Sequence, residues 1–310
     1  MRRFFKGLLV VTLAGIVAGG VLLIGAFSDG PKVLENYFDK VEATGNIEKM
    51  YTARGPYEVV SERHETGDAA MGPIRIWYPT DAADSTRRYP VVIMANGTRV
   101  GASRYEPIFE HLASWGFVVA GNEAGASGSG RQSEATLNLV LGQDSNPESA
   151  LFNRVDKANI GAAGHSQGGT GTLRAVIDQP SGGLYKAIFT ASGMRNFSLR
   201  DRGPLYDMGQ IRIPYFMVAG DGFADRFLFA PLSSLEDNYA AMPEGVPAVM
   251  AVRRRSSHGA MLQNADGYMT AWFRYQLADD AVAAEAFVGP GAELLGNTPS
   301  WRNAAIKNIR

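Results

Sequence analysis

The pentapeptide Gly164-His165-Ser166-Gln167-Gly168 contains a serine that could act as a nucleophile. An apolar run precedes it, and a helical pattern follows it. A buried strand that turns sharply into a helix around G-x-S-x-G exposes the serine hydroxyl above a sheet, a geometry called a nucleophile elbow. The two outer glycines leave room where any Cβ would collide with the neighbouring strand and helix. Ser166 is therefore the candidate nucleophile, and Gly164 and Gly168 are the elbow glycines.

A serine hydroxyl near neutral pH needs a base, usually histidine, and the base needs an orienting carboxylate. Of the four histidines, His258 follows the last predicted strand, where we expect the base, whereas His165 cannot easily turn back to its neighbour. In this arrangement the acid follows the strand over 215–219. Asp225 lies several residues into that loop and is favoured as the acid. Asp221 abuts the strand end and is the alternative acid.

The tetrahedral intermediate of acyl transfer carries an oxyanion that needs two backbone N–H donors. The residue after the nucleophile, Gln167, supplies one of them. The second donor is expected in the loop after the strand over 91–95, which reads Asn96-Gly97-Thr98. Gly97 allows the backbone to approach a substrate closely. The Thr98 N–H is therefore the second candidate for the oxyanion hole.

The composition excludes several other kinds of function. The chain has 310 residues, 45% of them apolar, and 30 basic residues balance 31 acidic ones to a net charge of −1. No nucleic-acid partner is expected from so weak a field. The absence of cysteine excludes thiolate nucleophiles, thiolate metal sites and disulfides. No H-E-x-x-H motif or carboxylate cluster indicates a metal, and we expect neither a metal nor another cofactor.

The chain changes from alternating segments to short apolar runs. Residues 57–63 and 74–79 predict an antiparallel hairpin at one edge of a sheet. Apolar runs that alternate with helical patterns then indicate parallel strands covered on both faces. The predicted strands cover 91–95, 117–120, 160–163, 187–191, 215–219 and 248–252, and the predicted helices cover 105–114, 133–142, 169–177, 232–242 and 267–287.

Two further patterns concern the surroundings of a catalytic cleft. About twenty residues separate Ala191 from Pro214, too few for a large cap domain, so an open cleft is expected. The triplet Arg253-Arg254-Arg255 at the end of the last predicted strand is expected to form a solvated edge.

The amino terminus predicts a membrane-directed segment. Arg2, Arg3 and Lys6 precede an uncharged run over 7–27, which as a helix is long enough to span a bilayer. We expect an anchor or signal segment over 1–27, with an uncleaved anchor favoured. Its positive charges would keep the amino end in the cytoplasm and place the rest of the chain outside, or the chain would be exported if the segment is cleaved.

Spaced apolar residues over 28–53 predict a helical stalk, and 54–310 would then form the catalytic domain. Within 54–310 the sequence shows no internal repeat and nothing that resembles a linker. The chain is expected to be a monomer.

Several of these segments together resemble the α/β-hydrolase family of cutinases and poly(ethylene terephthalate) hydrolases. The segments are 95–98, 111–119, 164–169 and 257–259, and the resemblance covers roughly Tyr57 to Leu277. It implies an α/β-hydrolase fold, with a mostly parallel twisted sheet, helices on both faces and no large cap domain. It also implies cofactor-free hydrolysis of carboxylic esters through a triad of Ser166, His258 and Asp225.

The sequence departs from the polyester hydrolases of this family in two places. Thr98 stands where they usually carry an aromatic residue, and no disulfide can tie down the carboxy-terminal loop. We therefore expect a serine ester hydrolase that takes small-molecule or polymeric esters. The alternatives are acyl transfer to an alcohol on the same triad, and a catalytically silent hydrolase fold that binds a ligand at the cell surface.

Overall fold

One mixed β-sheet organises the part of the chain that the computed structural model describes, residues 32–80, 86–197 and 203–309. Its strands are β1 (Val59–His64), β2 (Ile74–Pro79), β3 (Tyr89–Ala95), β4 (Val118–Asn122), β5 (Val155–His165), β6 (Tyr185–Ala191), β7 (Tyr215–Gly220), β8 (Ala248–Arg253) and β9 (Trp301–Lys307). They lie in the order β1-β2-β4-β3-β5-β6-β7-β8-β9. The strands from β4 to β8 pair in parallel, whereas β1, β2 and β9 run antiparallel to their neighbours.

Helices cover both faces of this sheet. They are α1 (Asn46–Thr52), α2 (Glu106–Ser114), α3 (Arg131–Ser145), α4 (Gln167–Asp178), α5 (Phe223–Phe227), α6 (Leu232–Ala241), α7 (Met261–Asn264), α8 (Asp266–Ala278), α9 (Ala281–Ala284) and α10 (Glu293–Gly296). Short 3₁₀ turns lie at Tyr37–Asp39, Ala102–Arg104, Gly182–Leu184, Met208–Gln210 and His258–Ala260. The topology confirms the predicted fold class, including the hairpin of β1 and β2 at one edge of the sheet.

The pleat of the strands divides the core into two layers. Val92 and Met94 of β3 belong to the cluster under α1, α2, α7 and α8, whereas their neighbours Val91 and Ile93 belong to the cluster under α3 and α4. Successive strand residues point to opposite faces, so a strand that is buried on both sides must be apolar at every position. This requirement explains why the parallel strands read as continuous apolar runs.

Strand β9 was not predicted. It pairs antiparallel with β8 at the carboxy-terminal edge of the sheet, and its residues after Trp301 are partly or fully exposed. The register shifts along the pair, and Asn303 has a positive φ of 50°. An edge strand of this kind combines charged residues with an irregularity, so it carries no continuous apolar run.

The helix predicted over 267–287 is divided in the structure. α8 ends at Ala278, and Asp279 takes a left-handed conformation with φ of 50°. The Asp280 carboxylate then accepts from the Val282 and Ala283 N–H groups and caps α9. Aspartate tolerates the left-handed conformation and caps helices well, so this pair of residues both ends one helix and begins the next.

Residues 33–52 pack onto the sheet and its helices, which differs from the predicted stalk. Val33, Tyr37, Ile47 and Tyr51 are buried in the same cluster as α2 and α8. The apolar spacing that predicted a stalk helix therefore reflects burial against α2 and α8. The anchor or signal segment predicted over 1–27 lies outside the described residues. Within the described ranges, no helix combines the length and the apolar character that a bilayer crossing requires.

Arg253 is placed differently from the expected solvated edge, whereas Arg254 and Arg255 are exposed as expected. Arg253 is buried, and its guanidinium donates to the carbonyls of Asn264, Ser300 and Glu42. The Arg253 guanidinium also lies over the Trp301 ring at 5.3 Å. A planar group with five N–H donors can satisfy several carbonyls at once, so this cation fastens residue 42 to the carboxy-terminal part of the domain.

A buried ion pair also fastens the amino-terminal segment. His111 Nδ1 lies 2.7 Å from Asp266 Oδ2, and both side chains are almost fully buried. The Tyr37 hydroxyl donates to the same carboxylate oxygen at 2.5 Å, and His111 Nε2 donates to the Ala53 carbonyl. Burial by itself lowers the pKa of His111, but the carboxylate and the backbone carbonyls outweigh burial and raise that pKa above its usual value.

This ion pair predicts a pH-dependent stability. Folding raises the pKa of His111. The contribution of the His111–Asp266 pair to the free energy of unfolding is therefore fully present below the unfolded pKa of about 6.5, and it is lost as the pH rises through the folded pKa. His111→Leu leaves the Asp266 carboxylate buried without its cation and should cost about 3–5 kcal/mol. The test is the melting temperature between pH 5 and pH 9, with His64→Gln, at the edge of the sheet, as the control.

The melting temperatures of the wild type and of His64→Gln should fall as the pH rises above neutral. The melting temperature of His111→Leu should not show that decrease. A slope in His111→Leu equal to that of the wild type would show that the ion pair is not its source.

Candidate active site

Ser166 lies at a strained turn between β5 and α4. Its φ of 55° and ψ of −122° belong to a region that non-glycine residues rarely adopt, at a cost of about 1–3 kcal/mol. A Cβ at Gly164 would lie 2.3 Å from the Gly168 carbonyl oxygen, and one at Gly168 would lie 2.2 Å from the Ala95 carbonyl oxygen. Both positions exclude any side chain. The close packing of β3, β5 and α4 therefore holds the strained serine in place.

The three residues predicted as a triad come into hydrogen-bonding contact. His258 Nε2 lies 2.8 Å from Ser166 Oγ, and His258 Nδ1 lies 2.5 Å from Asp225 Oδ1. His258 begins the 3₁₀ turn after β8, and Asp225 lies in α5 after β7. Since parallel strands end at the same edge of a sheet, the loops after β5, β7 and β8 meet there. The arrangement can transfer a proton from the serine to the imidazole.

Asp225, and not Asp221, contacts the histidine. The Asp225 side chain is fully buried, and its Oδ2 accepts from the Ser192 hydroxyl at 2.5 Å and from the Gly220 N–H at 2.8 Å. Asp221 stays at the end of β7, where its own N–H donates to the Arg253 carbonyl. Both carboxylate oxygens of Asp225 therefore accept hydrogen bonds, which fixes the carboxylate in one orientation.

The predicted oxyanion donors lie on either side of the serine. Gln167 is the first residue of α4, so its N–H has no partner within the helix. Thr98 follows the end of β3, and β3 pairs with β5 up to Ala95 and Gly164. Among the described residues, no acceptor pairs with the Thr98 N–H. The Gln167 side chain points elsewhere, because its Oε1 accepts from the Ser127 N–H at 3.1 Å.

Four polar residues of the site were not identified from the sequence. Asn96 is fully buried and donates to the Asn122 carbonyl at 2.5 Å, which ties the loop of Thr98 to β4. Ser192 binds the triad carboxylate, and Tyr105 and His165 contact each other beneath the site. For Asn96, Ser192 and His165 the only signal was a position at the carboxyl end of a strand or beside the elbow, and Tyr105, at the start of α2, had none. Each partner lies far away in the sequence, so no local pattern could identify the pairs.

One aromatic ring packs against His258, and two more are exposed on the helix that carries Asp225. The Phe229 ring lies 4.8 Å from the His258 ring, and Phe223 and Phe227 of α5 are more than half exposed. Between β6 and β7, the described residues 192–197 and 203–214 form one 3₁₀ turn and no packed lid. A cavity of about 470 Å³ lies between this segment and α6, but neither Ser166 nor His258 lines it. The described residues contain no group of three or more histidines and carboxylates that could hold a metal.

Comparisons with known proteins agree with this fold. The family model described as PET hydrolase-like matches residues 43–200. The chain belongs to the PET hydrolase-like family. It is 27% identical over 306 positions to the bis(hydroxyethyl) terephthalate hydrolase of Streptomyces coelicolor, which covers 94% of this chain and 88% of the relative.

Two cutinases are similar to this PET hydrolase-like chain over most of their length. A cutinase of Thermobifida fusca is 30% identical over 316 positions, covering 97% of this chain and 91% of the relative. A cutinase of Thermobifida alba is 28% identical over 269 positions and covers 83% of each chain. These comparisons identify the chain as a carboxylic ester hydrolase of the cutinase type with an α/β-hydrolase fold.

The two aspartates of the β7 loop give a matched pair of variants. Asp225→Asn keeps the size of the side chain but replaces the negatively charged carboxylate that accepts the His258 Nδ1–H with a neutral amide. The value of kcat should therefore fall by about ten-thousandfold. Asp221→Asn changes a neighbouring carboxylate without contact to His258 and should keep kcat within about twofold. Turnover of p-nitrophenyl acetate measures both. Equal losses in the two variants would contradict the assignment of Asp225.

Proposed function

We propose that this chain is a serine esterase in which Ser166, His258 and Asp225 form the catalytic triad. The observation that carries the proposal is the continuous line of contacts, 2.8 Å from Ser166 Oγ to His258 Nε2 and 2.5 Å from His258 Nδ1 to Asp225 Oδ1. A hydroxyl, an imidazole and a buried carboxylate in this sequence of contacts form the arrangement that activates serine in acyl transfer.

The reaction begins when Ser166 Oγ attacks the ester carbonyl carbon while His258 Nε2 takes the hydroxyl proton. The tetrahedral intermediate collapses, the C–O bond to the alcohol breaks, and His258 returns the proton to the departing alcohol. Water then attacks the acyl-enzyme with His258 again as the base, which releases the carboxylic acid and regenerates the serine. Asp225 keeps the imidazole in the tautomer that presents Nε2 to the serine, and it stabilises the imidazolium.

The N–H groups of Thr98 and Gln167 form the oxyanion hole in this proposal. They flank Ser166 from the end of β3 and the beginning of α4, and neither N–H has a competing acceptor among the described residues. The N-terminus of α4 also favours negative charge. Removal of one such donor typically costs about 3–4 kcal/mol of transition-state stabilisation. Apart from proline, no substitution at these two positions removes the backbone donor.

The substrates we propose are carboxylic esters with an apolar acyl or aromatic part, either small or at accessible positions of a polymer. The exposed rings of Phe223 and Phe227 and the Phe229 ring beside His258 offer an apolar approach to the serine. The names of the relatives, cutinase and bis(hydroxyethyl) terephthalate hydrolase, support the same class. Thr98 adds no aromatic clamp, so we expect the ester bond, and not stacking on residue 98, to select the substrate.

We also propose that the chain works as a monomer outside the cytoplasm. The basic residues and the uncharged run at the amino terminus support export or anchoring of the chain. Fractionation of cells that express the full chain, with an antibody to the catalytic domain, tests the location. Recovery in the cytoplasm alone would contradict it.

The experiment that tests the proposed function compares the wild type with Ser166→Ala. On p-nitrophenyl esters of increasing chain length and on bis(hydroxyethyl) terephthalate, Ser166→Ala should lose turnover by about a millionfold, because the acyl-enzyme cannot form. A fluorophosphonate probe should label the wild type at Ser166 and leave the variant unlabelled.

The same experiment separates the alternatives. Unlabelled wild-type protein would indicate a silent hydrolase fold. Transfer of the acyl group to an added alcohol at the expense of the free acid would indicate an acyltransferase.

A further inference from the structure

A second hydrogen-bonded line lies beneath the triad and joins the two loops that frame the cleft. The Tyr105 hydroxyl lies 2.9 Å from His165 Nδ1, and His165 Nε2 lies 2.8 Å from the backbone carbonyl of His258. At the other end, the Tyr105 hydroxyl lies close to the Gly97 backbone. The line therefore begins next to Thr98 and ends on the main chain of His258.

The direction of every bond in this line is determined. The His258 carbonyl has no proton, so His165 Nε2 must donate to it. Burial and the nearby His258 lower the pKa of His165 to about 4, so its ring is neutral near pH 7 and carries a single N–H. His165 Nδ1 then accepts from the Tyr105 hydroxyl.

The positions of these residues leave little freedom for another arrangement. Tyr105 and His165 are each about 95% buried, since 5% of either residue is exposed. The Tyr105 ring stacks on Phe109, and the His165 ring lies 5.1 Å from the His258 ring. A Cβ at Gly97 would come within 3.0 Å of the Tyr105 oxygen and 3.3 Å of His165 Nδ1. The loop of Thr98 is therefore seated directly on the tyrosine and the histidine.

We propose that Tyr105 and His165 are positioning residues that hold the oxyanion loop and the base loop in register with Ser166. Neither side chain touches the reacting atoms. The Tyr105 hydroxyl and the His165 ring support the Gly97 backbone from below, and so hold the loop that carries the Thr98 N–H. The bond from His165 to the His258 carbonyl fixes the main chain from which the imidazole reaches both Ser166 and Asp225. The inference rests on the serine esterase mechanism proposed above.

Neutrality of His165 is part of the same arrangement. His258 becomes an imidazolium during the reaction, and a second cation at 5.1 Å would oppose that charge. A neutral ring provides the hydrogen bond without the repulsion. A lysine or arginine at position 165 could donate to the His258 carbonyl but would bring a charge and could not accept from Tyr105.

The test begins with Tyr105→Phe, which removes one hydroxyl and keeps the ring that packs on Phe109. With p-nitrophenyl acetate, kcat should fall roughly tenfold to a hundredfold while KM changes by less than about twofold, since displaced catalytic groups slow the chemistry without weakening ground-state binding. The matched control is Tyr215→Phe, which removes a buried hydroxyl that is hydrogen-bonded to Thr190 at 2.7 Å and not to a triad residue. Its kcat should stay within about twofold of the wild type.

Variants of His165 test whether the two residues act as one unit. His165→Gln can still donate an amide N–H to the His258 carbonyl and should retain more kcat than His165→Leu, which cannot. Adding Tyr105→Phe to His165→Leu should cost little further kcat, because the line is already broken.

Three results would overturn the proposal: a kcat of Tyr105→Phe within twofold of Tyr215→Phe, a loss confined to KM, or full additivity in the double variant. Should His165→Leu fail to fold, the comparison of Tyr105→Phe with Tyr215→Phe decides alone. Loss of turnover in Ser166→Ala together with normal kcat in Tyr105→Phe would reject only the positioning role. Persistent turnover in Ser166→Ala would reject the esterase mechanism and this inference with it.

Discussion

The hydrogen bond between the buried Asp225 carboxylate and His258 Nδ1 is the interaction on which the site depends. A carboxylate without solvent is tolerated only where hydrogen bonds replace its lost hydration. Here the Gly220 N–H, the Ser192 hydroxyl and His258 together provide them. These donors come from the ends of β7, β6 and β8. The hydrogen bonds to the Asp225 carboxylate therefore hold three separate loops together at the edge of the sheet.

The elbow imposes the complementary constraint. Ser166 keeps an unfavourable backbone conformation because Gly164 and Gly168 allow α4 to pack against β3 and β5 at distances that exclude a side chain. The strain is opposed by the packing of a sheet whose strands are buried on both faces. A local defect at the elbow would therefore displace the serine and the Gln167 N–H together, since they are consecutive residues. Proposed nucleophile and proposed oxyanion donor share one rigid support.

The sequence predicted those features whose cause is local. The apolar runs, the glycines around Ser166 and the position of His258 after a strand all follow from backbone geometry within a few residues, and the parallel core and the edge hairpin were confirmed. Sequence position favoured Asp225 over Asp221, but the contacts that distinguish them involve His258 and Ser192, which are distant in the chain. The pair of Tyr105 and His165 likewise depends on how α2 approaches β5.

Other features differed because tertiary packing reversed the local preference. The apolar residues of 33–52 suggested a separate stalk, yet they are buried against α2 and α8. Arg253 suggested a solvated edge, yet three carbonyls and the Trp301 ring satisfy its charge within the domain. β9 has no apolar run because an edge strand is buried on one side at most. In each case the partner that decides the structure lies more than ten residues away.

The central claim is that Ser166, His258 and the two backbone donors converge on one reacting carbonyl. A crystal structure of the protein after reaction with a p-nitrophenyl phosphonate tests it most directly, because the phosphonyl group mimics the tetrahedral intermediate. The account predicts a covalent bond to Ser166 Oγ, with the phosphonyl oxygen about 2.7–3.1 Å from the N–H groups of Thr98 and Gln167. An adduct whose oxygen points away from both N–H groups, or bonding to another residue, would contradict it.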